Sequence, residues 1–372
     1  MLVRDLPAPS RAATSVDFDL HGFVGIRLLG ASEADVAAVT RQLGPIRREL
    51  QREPDIVIRF VERLDIRGAR LLAGEAAFTD AAFLVLLGRH KTRVRVAVPM
   101  AEVGGACEIV CERGIFAVPL LIPIVNLTAL AKQVLPLHAS AFVHRGKGVL
   151  VTGWAKGGKT EALLAFMAHG AAYVGDEWVY VSADGRRMYG IPEPITLWDW
   201  HLDERPEYRD RLQRSQRARL RAARIASAQG ARAARRVPAM SRWLPLIERQ
   251  GAVHAAPAEL FGVEERPLEA SFDRLFFVMS HEDPRVAVEQ VDPADVARRM
   301  VFSLLYERTD LLTQYMRFRF AFPDRRNPLI ESLEQVQRDA LHRVLADRTA
   351  HQIAHPYPVG ISALHRAMDP LI

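Results

Sequence analysis

Apolar positions recur at two spacings along this chain, every second residue in some runs and at helical spacing in others, and the two kinds of run are interleaved. Residues 22–29 read as a strand. Ser32 then caps a helix reaching Leu43, with Asp35 as its capping-box partner. Further β-type runs fall at 55–61, 82–87, 93–98 and 107–111. The run 123–134 suits a buried helix, since Pro119 marks a break and Pro123 is tolerable in a first turn. A dense stretch follows: strands over 139–144 and 149–152 about a turn at 146–148, then a helix over 160–169 ended by Gly170. Residues 173–174 and 178–181 are strand-like, with Asp184-Gly185 supplying hairpin chemistry. After an interruption the alternation resumes at 275–279, 293–304, 333–345 and 351–355, and a last helix begins at Ser362. The pattern predicts an α/β protein. Its first part, residues 1–115, is a smaller α/β unit without a catalytic motif, read as structural or substrate-positioning.

The interruption, residues 201–262, is rich in Arg, Ala and Gln, helical by propensity and broken by Gly230 and Pro238. Between Asp203 and Arg236 eleven arginines face four acids, while the whole chain has 50 Lys+Arg against 44 Asp+Glu. The positive charge is thus local and the rest is near neutral. Arg209, Arg211, Arg214, Arg217, Arg219, Arg221 and Arg224 spread around a helix, with Leu212, Leu220 and Ile225 as a thin apolar seam. The segment reads as a solvated helical insertion. A lid or clamp over an anionic substrate or nucleotide is the functional alternative. A nucleic-acid surface is disfavoured, because Tyr208 is nearly alone as a stacking aromatic. Trp198-Asp199-Trp200 upstream is read as packing. The only cysteines, Cys107 and Cys111, lack partners at zinc-finger spacing and read as buried reduced thiols. The first residues carry no secretory h-region, and the most apolar stretch, 115–131, is interrupted by Pro119, Pro123 and Asn126. A cytoplasmic protein with no membrane partner is expected; the oligomeric state is left open, a homo-oligomer included.

Gly153-Trp154-Ala155-Lys156-Gly157-Gly158-Lys159-Thr160 fits the phosphate-loop pattern G-x-x-x-x-G-K-[ST]. Small residues let successive backbone N–H groups turn inward around phosphate oxygens, and a helix starting at once aims its positive end at the anion. An apolar strand enters the motif and an amphipathic helix leaves it. Gly153, Gly157, Gly158 and Lys159 would cradle a nucleoside triphosphate such as ATP, and the Thr160 hydroxyl would hold Mg²⁺. Lys156 is out of register for the second lysine of partition ATPases and reads as an extra phosphate-facing or solvated charge. Phosphoryl transfer also needs carboxylates for the metal and the acceptor. Asp176 and Glu177 lie just beyond the next strand, expected on opposite sides of an extended backbone.

His138-Ala139-Ser140-Ala141, Gly146-Lys147-Gly148-Val149-Leu150, the loop, Gly170 and Asp176-Glu177 together resemble, without a gap, the catalytic domain of the HPr kinase/phosphorylases and their small-molecule and peptide kinase relatives. The resemblance implies a P-loop kinase domain of the HPr-kinase/carboxykinase-like type over residues 116–372, carrying the Arg-rich insertion at about 201–262. It implies Asp176 as the catalytic acid/base, Glu177 as the second, metal-associated acid, and His138 as support for the pair. Thr160-Glu161 is similar to the family's Ser/Thr-Glu pair. The family usually has Asp-Asp where this chain has Asp176-Glu177, and its downstream signature has only Gly190-Ile191-Pro192-Glu193-Pro194 as a counterpart. A divergent kinase acting on another hydroxyl acceptor is therefore expected, rather than one acting on HPr.

Three other readings compete. Glu282-Asp283 after the strand 275–279 has the form of a Walker B acid pair, as in an ABC-type ATPase, but no Leu-Ser-Gly-Gly segment accompanies it. A nucleotide-gated binding or regulatory module with weak or no ATPase activity is the main alternative. A decarboxylating carboxykinase would need a second metal cluster, which the sequence does not display.

Overall fold

The computed structural model describes residues 15–88, 92–236, 251–262 and 268–372, with residues 227–236 described by backbone alone. Two mixed sheets with flanking helices make an α/β protein. The first has the strand order β1-β2-β3-β8-β7-β6-β5-β4. Its members are β1 (Val16–Leu20), β2 (Val24–Leu29), β3 (Ile56–Val61), β4 (Arg70–Leu72), β5 (Ala76–Phe78), β6 (Phe83–Leu87), β7 (Arg93–Ala97) and β8 (Cys107–Glu112). Helix α1 (Glu33–Leu43) carries the chain from β2 to its parallel neighbour β3, and the expected capping box forms: Ser32 Oγ accepts from the Asp35 amide and Asp35 Oδ2 accepts from the Ser32 amide. Cys107 and Cys111 are buried on β8, and burial pushes the Cys107 thiol up to about 12 and Cys111 higher still.

Helix α2 (Leu121–Ala131) leads into the second sheet, order β16-β13-β12-β9-β10-β17-β19-β18, with β11 pairing on β9. Its strands are β9 (Leu135–His144), β10 (Lys147–Gly153), β11 (Ala172–Gly175), β12 (Trp178–Val181), β13 (Arg187–Gly190), β16 (Glu269–Ser271), β17 (Arg274–His281), β18 (Ala287–Val291) and β19 (Ala350–Pro356). β10, β17 and β19 run parallel; β9 and β10 form an antiparallel hairpin. Both faces of its central strands β9 and β10 are dry. On β10, Leu150 packs into a core shared with α2 and the first sheet, whereas Val149 and Val151 join a second core with Leu163, Leu164 and Phe166 of α3 (Lys159–Met167). Period-two alternation therefore sorts apolar side chains between two cores, which is why these strands read as continuous apolar runs.

The arginine-rich stretch is α4 (Asp199–Glu204), α5 (Pro206–Arg211) and α6 (Arg214–Arg236), so its arginines are divided among helices rather than wound on one. Gly230 does not break α6, because a single glycine costs only about 1 kcal/mol in a helix interior; Pro238 lies outside the described residues. Leu212 and Leu220 are buried as the seam requires, but Ile225 is exposed and Ala223 takes its place. Nor is the interruption wholly helical. β15 (Ala252–Ala255) returns to pair with β14 (Ile195–Trp198), and α7 (Pro257–Phe261) follows. Helices α8 (Pro293–Glu307), α9 (Thr309–Ala321), α10 (Pro328–Glu331), α11 (Leu333–Leu345) and α12 (Ile361–Met368) complete the chain. Among the described residues no helix is long and apolar enough to cross a membrane.

One apolar core runs from Phe18 and Ile26 of the first sheet through Ile124 of α2 to Leu137 and Leu275 of the second. Polar ties reinforce it. Buried Asn327 donates through Nδ2 to the carbonyls of Met100 (2.9 Å) and Val103 (2.8 Å) while its Oδ1 accepts from the Ile330 amide. Removing that side chain strands buried carbonyls, each costing about 1–3 kcal/mol. Asn327→Ala is therefore expected to lower stability by about 2–4 kcal/mol, read as a lower urea midpoint with an unchanged slope.

Candidate functional site

The turn from β10 into α3 is held from three sides. Ser140 Oγ of β9 donates to the Lys159 carbonyl (2.7 Å), Ser303 Oγ of α8 to the Gly153 carbonyl (3.3 Å), and His355 Nε2 at the end of β19 lies 2.7 Å from the Gly157 carbonyl. Gly158 has φ +102°, and a Cβ there would stand 2.4 Å from His355 Nε2, so only glycine fits. Gly153 is constrained differently: its Cβ would meet the Val278 carbonyl at 2.4 Å, a close approach of neighbouring strands. α3 begins at Lys159, so its positive end opens onto a cleft of about 840 Å³. Lys159 is buried, and its ammonium donates to the carbonyls of Trp154 (2.9 Å) and Gly153 (3.4 Å). Burial holds its pKa below the ordinary lysine range, against the pull of Glu177, Glu307 and Asp176.

Opposite the loop stands Asp176, only 2% exposed. The Thr160 hydroxyl donates to its carboxylate at 3.1 Å (Oδ2) and 3.3 Å (Oδ1). Burial, and then the charge of Glu177, raise Asp176 to about 7, with Thr160, Lys159 and His138 opposing. The two acids do not diverge as alternation would have them. Glu177 has φ +64° and the Trp178 amide closes back on the Asp176 carbonyl at 2.8 Å, so the backbone turns and both carboxylates line one cleft.

His138 on β9 ties Glu177 to an acid distant in sequence. Its Nε2 is 3.0 Å from Glu177 Oε2, and its Nδ1 is 2.9 Å from Glu307 Oε1 at the end of α8, a contact of ion-pair type without good hydrogen-bond direction. Burial and Lys159 push the imidazole pKa down, but the two carboxylates outweigh them and the net shift is upward. Glu161 is buried in the first turn of α3. Burial pushes its carboxyl up, yet the His201 contact at 3.1 Å brings it below the usual range. Because His201 Nδ1 accepts from the Trp198 amide (3.2 Å), its proton sits on Nε2 and points at Glu161.

The far wall comes from the arginine-rich stretch. Trp198, Asp199, Trp200, Asp203 and Arg224 line the cleft together with Tyr357, so the tryptophans face the site as well as packing. Asp203 accepts from Arg209 (2.8 Å) and Arg224 (3.2 Å), which fastens α6 to α4 at the rim.

Of the residues singled out from sequence, His138, Lys156, Gly157, Gly158, Lys159, Thr160, Glu161, Asp176 and Glu177 line this cleft. Gly153 does not; it serves the strand contact beneath. The rival pair is elsewhere: Asp283 is held by Arg285 at 2.8 Å on the surface, beyond the end of β17. Glu307, His201, His355 and the Asp199–Asp203 wall escaped sequence reasoning, since each sits in an ordinary local context and acquires meaning only from what folds against it. No protein-family model matches the chain, and no curated protein matches it.

Stability should record the Asp176 environment. Its folded pKa of about 7 exceeds the unfolded value near 3.9, so the folded state holds the extra proton between those limits and stability falls as pH rises across them. Asp176→Asn is expected to flatten this slope, matching wild type near pH 4 and exceeding it above pH 7 by on the order of a few kcal/mol. Thermal unfolding from pH 4 to 8.5 measures both.

Proposed function

We propose that this protein is an ATP-dependent kinase of the HPr-kinase-like P-loop type, moving the γ-phosphate of ATP to a hydroxyl on a small molecule, peptide or protein. The observation that carries the reading is a buried carboxyl bonded to the hydroxyl that opens the helix after a phosphate-loop motif; burial raises that carboxyl to about 7. A general base works best with a pKa near the operating pH. The loop amides, the start of α3 and Lys159 would receive the triphosphate.

The oxygen donors of Thr160, Asp176 and Glu177 suit Mg²⁺, a hard cation that prefers carboxylate and hydroxyl ligands. Bound there, Mg²⁺ would neutralise charge on the β- and γ-phosphate oxygens. In the transfer itself, Asp176 takes the acceptor's hydroxyl proton as the acceptor oxygen bonds to the γ-phosphorus. The bond from that phosphorus to the β,γ-bridging oxygen breaks, and ADP departs. Glu177 is steadied by His138, which Glu307 backs from behind. The walls formed by Trp200, Asp199, Asp203 and Tyr357 are where an acceptor would lie.

With [γ-³²P]ATP and a cell extract as acceptor source, wild type is expected to label a discrete product. Asp176→Asn should cut the rate about 10²–10⁴-fold while keeping a thermal shift with ATP alone, through the loop and Lys159, and Lys159→Ala should lose that shift. Transfer undiminished in Asp176→Asn would overturn the assignment. ATP binding without transfer by wild type would instead support the regulatory module.

A further inference from the structure

The other end of α3 carries a second cluster of metal-binding side chains, separate from the cleft. His144, the last residue of β9, places Nε2 2.9 Å from Asp369 Oδ1. His365, four residues earlier on α12, brings its Nε2 to 3.9 Å from the same oxygen. Ligand atoms of the three residues all lie within 4.8 Å of one another. The aromatic ring of Phe166 packs beside both imidazoles, and His169 stacks on His365 at 3.6 Å.

Hydrogen bonding accounts for only part of this arrangement. Arg145 Nη2 holds Asp369 Oδ2 at 3.0 Å, and His144 occupies Oδ1. His365 Nε2 is buried and has no hydrogen-bond partner although it faces the cluster. An ion-pair network alone leaves that buried nitrogen without a hydrogen bond, which is destabilising. A cation accepted by all three groups removes that penalty.

We propose that His144, His365 and Asp369 form a divalent-metal site, best suited to Zn²⁺, that fastens the C-terminal helix α12 to the β9–β10 hairpin. Two imidazoles and one carboxylate make a borderline N₂O donor set, which favours Zn²⁺ over the oxygen-seeking Mg²⁺ and Ca²⁺. Arg145 orients the ligating carboxylate from behind, as outer partners of metal sites do. The chain separation gives the site its effect. Residues 144 and 365 come from distant parts of the chain and meet beside Phe166, so bound metal adds its binding free energy to folding.

Full-length protein stripped with chelator and returned to buffer with millimolar Mg²⁺ is expected to bind one equivalent of Zn²⁺ by calorimetry and to rise in Tm. Co²⁺ should give visible d–d bands. His365→Ala and Asp369→Asn should each weaken Zn²⁺ binding about 100-fold or more and abolish the bands, with circular dichroism checking that each folds. His365→Cys should restore binding and add a thiolate-to-Co²⁺ charge-transfer band. Glu177→Gln, in the cleft, should leave Zn²⁺ affinity unchanged. The proposal is overturned if wild type gives no Co²⁺ bands, if binding survives both His365→Ala and Asp369→Asn, or if Glu177→Gln abolishes it.

Discussion

The contact between the Thr160 hydroxyl and the buried carboxylate of Asp176 is the point about which the candidate site is organised. It joins the first turn of α3 to the turn after β11, two segments separated by a helix and a strand. A carboxyl so thoroughly removed from water is not an ordinary acid; burial and the nearby Glu177 raise it to about 7, where both protonation states are populated at neutral pH. That single placement links the shape of the loop, the charge of the cleft and the proposed chemistry.

The surrounding charges are arranged in a chain rather than as isolated pairs. Lys159 offsets the acids from one side, and His138 divides itself between Glu177 and Glu307 on the other. Behind them Arg308 is fully buried, bonded to Gln337 Oε1 (2.5 Å), stacked over Trp178, and lowered to about 10 by desolvation. Breaking one member of such a network leaves the others buried and unbalanced, so its parts are coupled. The strained φ at Glu177 belongs to the same design, because it turns a second carboxylate into the cleft where an extended strand would turn it away.

The arginine-rich stretch also takes on a more specific meaning than its composition conveys. Arg209 and Arg224 meet Asp199 and Asp203 at the rim, while the tryptophans and Tyr357 supply flat surface inside. In this way the stretch contributes a wall to the cleft, and its return strand β15 anchors it through pairing with β14.

His138 was singled out by the family resemblance alone, whereas local pattern was enough to read most of the strands, the capped helix α1, the loop between β10 and α3, and the acids Asp176 and Glu177. Those features depend on neighbours a few residues apart, where side-chain period, glycine spacing and capping chemistry act directly. The bend at Glu177 is a local turn, but a glutamate carries no mark of a positive φ; the β14–β15 return and the use of Glu307, His201 and His355 depended on segments brought together from far along the chain, 198 residues apart for Gly157 and His355. A glutamate at a helix end carries no local mark of the histidine it will face. The amino-acid order alone therefore determined the elements and the loop; only tertiary packing decided which charges share one dry space, because desolvation and ion pairing arise from what surrounds a group and not from what precedes it in the chain.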